Sequence, residues 1–336
     1  MTLQPTAVPV RQFLDWPVVT NPAEWEADVA ILGIPRSEPY PRDPQPNDQA
    51  RAPDAIRSHS SRFCYASGNW DFDTGTDLTS VLPSRHLDVG NAAWSGGSYD
   101  EYAASVTGYL RRLWRQRGGA QVVILGGDHG VTIPVLDALD ALGEPVHVLQ
   151  IDAHLDWREE VDGVRRGYSS PLRWASATPA VAGMTQVGLR AVGSARRGEV
   201  DAARVYGSHL VTAERFHVEG RDAVLATIPE GRAVYLTIDA DGLDPAEMPA
   251  VMAPTPGGLR FHQVAPLLRA VARRHRVVGM DLVEVAPSFD AANGVTCVTA
   301  GRLILNVLAA SWGPDGGYRR SGAPLPPSAV PTTPRS

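Results

Sequence analysis

Cysteine is almost missing: Cys64 and Cys297 are the only two thiols in 336 residues. That excludes a disulfide scaffold and fits a reducing compartment. A basic surplus is also missing. Lys and Arg total 31 against 37 acidic residues, for a net charge of −6. A generic nucleic-acid or anionic-membrane binder would be basic, so neither partner is expected. No unbroken run of about 18 apolar residues occurs, so no membrane span is expected. Met1 to Trp16 lacks the basic start and apolar stretch of a secretory signal, which makes a cytoplasmic protein the expectation. What is plentiful is apolar. Hydrophobic residues make up 43% of the chain, which excludes a mainly disordered polypeptide.

Six short apolar runs recur: Asp28–Ile34, Gln121–Leu125, Val146–Ile151, Thr185–Leu189, Ala233–Ile238 and Val277–Val283. They are apolar throughout rather than alternating, as in strands buried on both faces. Helical spacing separates them. Tyr102, Val106, Tyr109, Leu110 and Leu113 mark Asp100–Arg117, and Val131–Leu142, His262–Arg274 and Val298–Ser311 read alike. Strand alternating with helix implies one α/β domain, residues 1–312, around a mostly parallel sheet. Two segments resist regular structure. Gly33–Pro53 is dense in proline and reads as a functional loop, and the proline-rich chain from Gly313 reads as a flexible tail.

Three acidic signatures stand at strand ends. Ile124-Leu-Gly-Gly-Asp-His-Gly130 closes a buried run with His129; alone, it reads first as a strand-to-helix turn capped by Asp128. In Gln150-Ile-Asp-Ala-His-Leu-Asp-Trp157, residues Asp152, His154 and Asp156 alternate and would share one face of an extended strand. In Leu236-Thr-Ile-Asp-Ala-Asp-Gly-Leu-Asp-Pro245, Asp239 and Asp241 repeat that spacing. Two adjacent carboxylates repel, and a cation between them removes the penalty. Ligands of parallel α/β sheets collect beyond the carboxyl ends of strands. Four carboxylates and two imidazoles overfill one divalent ion but suit two that share bridging carboxylates. Oxygen-rich ligation favours Mn²⁺, with Ni²⁺ possible. Such a pair yields hydroxide at neutral pH, so the chemistry read from the residues is metal-assisted hydrolysis.

Together with Gly279-Met-Asp-Leu-Val-Glu-Val-Ala-Pro287, these motifs resemble the ureohydrolase family of arginases and agmatinases, best from about Ala27 to Ser311. The resemblance implies a three-layer α/β/α fold around an eight-stranded, mostly parallel sheet. It also implies hydrolysis of a guanidino compound to urea and an amine. By the same resemblance, His129, Asp152, Asp156 and Asp239 hold one Mn²⁺, and Asp152, His154, Asp239 and Asp241 hold the other. Glu284 pairs with the substrate guanidinium, and Asp156 passes a proton to the leaving amine. A homo-oligomer, trimer or hexamer, is implied too.

The family's His-Gly-x-Pro-like stretch appears here as Tyr168-Ser-Ser-Pro171, which places Tyr168 where a substrate-contacting histidine usually stands. A phenol of pKa near 10 is a poor proton shuttle at neutral pH. Glu159, Glu160 and Asp162 read as an acidic wall for a cationic tail, with Glu159 a substrate contact. Agmatine, cleaved to putrescine and urea, is therefore the leading substrate, with guanidinobutyrate, guanidine, substituted guanidines or biguanides as alternatives. A one-zinc deacetylase and a non-catalytic partner subunit are the rival readings. Trp157 is expected to wall the pocket or to pack beneath it, and Asp281 to support the ligands or to cap a turn.

Overall fold

The computed structural model describes residues 3–41, 48–64, 68–94, 96–193 and 195–320. Eight strands form one sheet: β1 Val29–Ile34, β2 His86–Asn91, β3 Gln121–Gly126, β4 Val146–Ile151, β5 Val181–Leu189, β6 His209–Thr212, β7 Ala233–Asp239 and β8 Val277–Val283. Their order is β2-β1-β3-β8-β7-β4-β5-β6, and every pairing is parallel.

The apolar runs occupy the interior of this sheet because both faces are covered. Val29 and Ile31 of β1 join one core layer, while Ala30 and Leu32 join the other. Helices Ala52–Cys64, Ala213–Leu225, Phe261–Arg274 and Val295–Trp312 pack on the first face. Helices Tyr99–Arg115 and Arg197–Tyr206, with the short helix Thr132–Leu136, cover the second. The three-layer α/β/α architecture is thus present.

The six expected strands are all found, and the two not foreseen, β2 and β6, are the sheet's edges. An edge strand covers less and tolerates polar residues. In β2 a buried arginine holds the polar edge: Arg57 Nε and Nη2 donate to Asp88 Oδ2 and Oδ1 at 2.8 and 2.9 Å.

Two further expectations change. Val131–Leu142 is not one helix but three short pieces. Pro134 removes a ladder donor, and Arg111 Nη2 donates to the Asp137 carbonyl at 3.0 Å, taking an acceptor the helix would need. The chain beyond Gly313 continues into a short helix, Gly317–Arg320. Tyr318 is buried, stacks on Trp312 with ring centroids 4.6 Å apart, and donates to the Val277 carbonyl at 3.1 Å. Residues 321–336 of the expected tail, and 42–47 of the proline-rich loop, lie outside the described residues. Finally, Val295–Trp312 is long and apolar enough to cross a membrane, but 83% of it is buried within the fold. Its charge is met inside the protein, where Arg302 makes two 2.8 Å hydrogen bonds to Asp71.

Candidate metal and substrate site

The four central strands, β3, β8, β7 and β4, are neighbours in the sheet. Their carboxyl ends carry His129, Glu284, the Asp239–Asp241 pair and the Asp152–Asp156 segment, so adjacency of strands becomes adjacency of ligands. His129 Nδ1 lies 3.2 Å from Asp152 Oδ2, 2.8 Å from Asp156 Oδ2 and 3.3 Å from Asp239 Oδ2. His154 Nδ1 lies 3.1 Å from Asp241 Oδ2 and 3.6 Å from Asp152 Oδ1. Two ligand groups result, His129/Asp152/Asp239 and Asp152/His154/Asp241, each with its atoms within 4.8 Å of one another. They share Asp152.

These residues suit divalent cations for three reasons. His129 Nδ1 is buried and makes no hydrogen bond of proper geometry, although three carboxylates surround it. Its other nitrogen, Nε2, meets the Thr237 hydroxyl at 2.8 Å; with the proton there, the Nδ1 lone pair faces the carboxylates. Four buried carboxyl groups, of Asp152, Asp156, Asp239 and Asp241, also face only two imidazoles. Burial and the charges of Asp241 and Asp152 hold Asp239 well above the usual carboxylate range. Burial and Asp152 push Asp156 up to about 6, and burial raises Asp241. For Asp152 burial is outweighed by His129 and His154, so its carboxyl falls below the usual range. Burial would lower the imidazole of His154, yet Asp152 and Asp241 override it and push the ring up to about 12. Cationic charge is what this cluster lacks, and a pair of divalent ions would supply it.

The alternation foreseen for Asp152, His154 and Asp156 is not what gathers them. β4 ends at Ile151, and Asp156 reaches the cluster through a left-handed backbone, φ 50°. Glu284 also has positive φ, 66°, just past the end of β8. Strained conformations of this kind persist where the surroundings fix them. At Asp156 the backbone carbonyl accepts from the N–H groups of Leu172 and Arg173 at 3.1 Å, and at Glu284 the N–H donates to the Gly127 carbonyl at 2.8 Å. Gly242 is needed for close approach: a Cβ there would lie 2.8 Å from the Asp152 nitrogen.

Several supporting residues carry no sequence signal. A buried chain crosses the sheet: Ser208 Oγ donates to Gln186 Oε1 (2.9 Å), Gln186 Nε2 to Gln150 Oε1 (2.7 Å), and Gln150 Nε2 to Asp152 Oδ2 (2.6 Å). Arg190 Nη2 donates to the carbonyls of Asp241 and Thr255 at 2.6 and 2.7 Å, tying the β7 loop to the end of β5. Asp281, buried in β8, accepts from Thr132 Oγ1 and Tyr235 OH at 2.9 and 2.7 Å. It pairs in register with Thr237, so it lies behind His129 and caps no turn.

Glu284 is half-buried beside the cluster. Its Oε1 accepts the backbone N–H of His129 at 2.7 Å, and its Oε2 accepts from Gln49 Nε2. Burial, then Asp128, holds its carboxyl well above the usual range. Tyr168 lies outside the two ligand groups. It lines a cleft of about 600 Å³ with Tyr40, Trp94, Tyr99, Arg36 and Asp128, and its ring lies 4.6 Å from that of Tyr40. Tyr40, in the proline-rich loop, accepts the Ser169 N–H at 3.1 Å.

The acidic wall is corrected. The Glu159 side chain is 63% exposed and pairs with Arg165 at 2.6 Å, so its carboxylate is turned to solvent and already partnered. Trp157 is buried against Tyr206, ring centroids 5.8 Å apart, and packs beneath the site.

The arginase family model matches residues 27–310. Over 182 residues the chain is 42% identical to N(1)-aminopropylagmatine ureohydrolase of Thermus thermophilus, which covers 53% of this chain and 58% of that protein. The chain therefore spans little more than half the length of that relative. It is 33% identical over 280 residues to proclavaminate amidinohydrolase of Streptomyces clavuligerus, covering 81% of this chain and 84% of that one. The solved structure of that protein superposes with a TM-score of 0.76 at 27% identity, covering 91% and 98%. Agmatine ureohydrolase of Thermoplasma volcanium gives 0.69 at 26% identity, covering 92% and 94%. With the family match spanning most of the sequence and the overlapping ligand groups standing at the matched strand ends, the chain belongs to the arginase family.

Proposed function

We propose that this protein hydrolyses a guanidino compound, adding water across its C–N bond to release urea and an amine, with Mn²⁺ as its metal. The observation that carries this reading is Glu284, a half-buried carboxylate whose oxygen lies 2.7 Å from the backbone nitrogen of a metal-ligand candidate, His129. A carboxylate there meets a planar cation through charge-assisted hydrogen bonds and holds its carbon against the ligand cluster. His129, Asp152, Asp156 and Asp239 would hold one ion, and Asp152, His154, Asp239 and Asp241 the other. When bound, the pair supplies a hydroxide nucleophile at neutral pH and positive charge for the developing oxyanion. Asp156 takes the nucleophile's proton and delivers it to the leaving nitrogen. The aromatic faces of Tyr40, Trp94, Tyr99 and Tyr168 exclude water and receive the substrate tail. We also propose a homo-oligomer.

Agmatine remains the leading substrate, now for different reasons. Asp128 and the aromatic faces line the cleft, and both suit an ammonium tail. Arg166 does not oppose this, since Glu38 at 3.5 Å and Asp100 offset its charge. The agmatinase and aminopropylagmatine ureohydrolase names of relatives agree. A second reading, a guanidino acid, is favoured by Arg36: it lines the cleft, stacks over Trp94 at 5.5 Å, and makes no ion pair among the described residues. The test is urea release by the Mn²⁺- or Ni²⁺-loaded protein from agmatine, aminopropylagmatine, arginine, 4-guanidinobutyrate, guanidine and biguanides. Agmatine is expected to give the highest kcat/KM. Release from 4-guanidinobutyrate but not agmatine would replace the ammonium tail with a carboxylate. No urea from any of them, in protein carrying two ions per chain, would overturn the hydrolase reading.

A further inference from the structure

We propose that Gln49 is a positioning residue for substrate capture: its side-chain amide fixes the plane of the Glu284 carboxylate so that the carboxylate can receive a guanidinium. This rests on the guanidino reading above.

A carboxylate offers about four lone-pair sites. On Glu284 the His129 N–H takes one at Oε1, and Gln49 Nε2 takes one at Oε2. The first donor belongs to the rigid end of β3. Alone, it would let the carboxyl group pivot about its terminal bond, a torsion with broad minima. The second donor, on the other oxygen, removes that freedom. One lone pair per oxygen then remains, which matches the two parallel N–H groups of a guanidinium fork.

Gln49 is itself held in place. It is 3% exposed and opens the short turn Gln49–Arg51, which runs directly into helix Ala52–Cys64. Its neighbour Asp48 accepts the Ser288 N–H at 2.8 Å, which ties this turn to the segment that follows Glu284. Both donors to Glu284 are neutral. An arginine or lysine in place of Gln49 would cancel the carboxylate charge and compete with the substrate; an amide orients the carboxylate and leaves its charge available.

The test compares wild type with Gln49→Met, similar in length but without a donor, on whichever guanidino compound the metal-loaded wild type hydrolyses. Guanidinium chloride serves as a competitive probe of the head-group site. KM and the guanidinium Ki are expected to rise by roughly tenfold, as for a lost hydrogen bond to a charged group, while kcat and bound metal stay near wild type. Gln49→Glu, which sets like charge against Glu284, should raise both further. If Gln49→Met does not fold, Gln49→Asn keeps the amide one methylene too short, and the same rise is expected. Unchanged KM and Ki overturn the proposal, including when the melting temperature falls, because that pattern marks a merely structural role. A fall in kcat alone overturns it as well. A wild type inactive on every guanidino compound sinks the underlying reading instead, so the two failures are distinguishable.

Discussion

Thr237→Val isolates the support behind the metal cluster. The hydroxyl of Thr237 lies 2.8 Å from His129 Nε2, and the two residues are 0% and 1% exposed. Valine keeps the shape and removes the acceptor. Water cannot replace it at such burial, so the ring N–H loses its partner, or the tautomer flips and Nδ1 is protonated towards the carboxylates. A buried donor left unmade costs about 1–3 kcal/mol, which converts to roughly 5- to 150-fold in affinity. This agrees with the ~10- to 100-fold effects of losing the hydrogen bond behind a ligating histidine. Only the ion that Nδ1 faces should weaken, because the second ligand group does not contain His129. Competition titration with a chromophoric chelator, using Mn²⁺ or Ni²⁺, should therefore resolve one weakened and one retained ion. Thr132→Val is the control: it removes a 2.9 Å hydrogen bond to Asp281, behind the same ligand, and leaves the Thr237 hydroxyl in place. A Thr237→Val protein that binds both ions as wild type does would refute the assignment of Nδ1 as the ligating atom.

Asp152 belongs to both ligand groups and Asp241 to one. Asp152→Ala should weaken both ions and abolish urea release, while Asp241→Ala should keep roughly one ion per chain; metal analysis after dialysis decides, and equal losses in the two variants would refute the shared role. His147 sits in β4, on the strand that runs into Asp152, with Nε2 2.9 Å from Thr185 Oγ1. Burial, reinforced by the charges of His209 and His275, holds it down at about 4. Its folded pKa lies below the unfolded value of about 6.5, so its stabilising effect is complete above pH 6.5 and is lost as pH falls through 4. The full loss is about 3 kcal/mol. His147→Gln should flatten the stability profile between those pH values in denaturant titrations; parallel wild-type and variant profiles would contradict the burial argument.

The sequence makes the centre of this fold legible and its borders obscure, for one physical reason. A strand buried on both faces must be apolar throughout, so β1, β3, β4, β7 and β8 stand out as runs of Val, Ile and Leu. β2, with His86, Asp88 and Asn91, and β6, only four residues long, are edges that need not declare themselves. The same logic divides the site. The candidate ligands lie within a few residues of apolar strands, where chain direction delivers them to one end of the sheet. Their grouping was legible, although the pleat invoked for Asp156 was the wrong device: a positive-φ turn brings it in. Glu159 misled because nearness in sequence to the ligands is no measure of direction, and its partner Arg165 faces outward with it.

Gln49, Gln150 and Gln186 show where sequence reading stops. Each is an ordinary polar residue; Gln49 and Gln186 take their meaning from partners brought by topology, 235 and 36 positions away, and Gln150 links that chain to Asp152. Neutral amides neither attract notice as charges nor form a spacing pattern. They are nevertheless what a site crowded with carboxylates requires. Each ligand must be fixed in direction, and a charged donor would do so only by competing with the metal ions or the substrate. Gln150 on Asp152 and Gln49 on Glu284 make the same use of a neutral donor, one beneath the candidate metal cluster and one beneath the carboxylate proposed to meet the substrate.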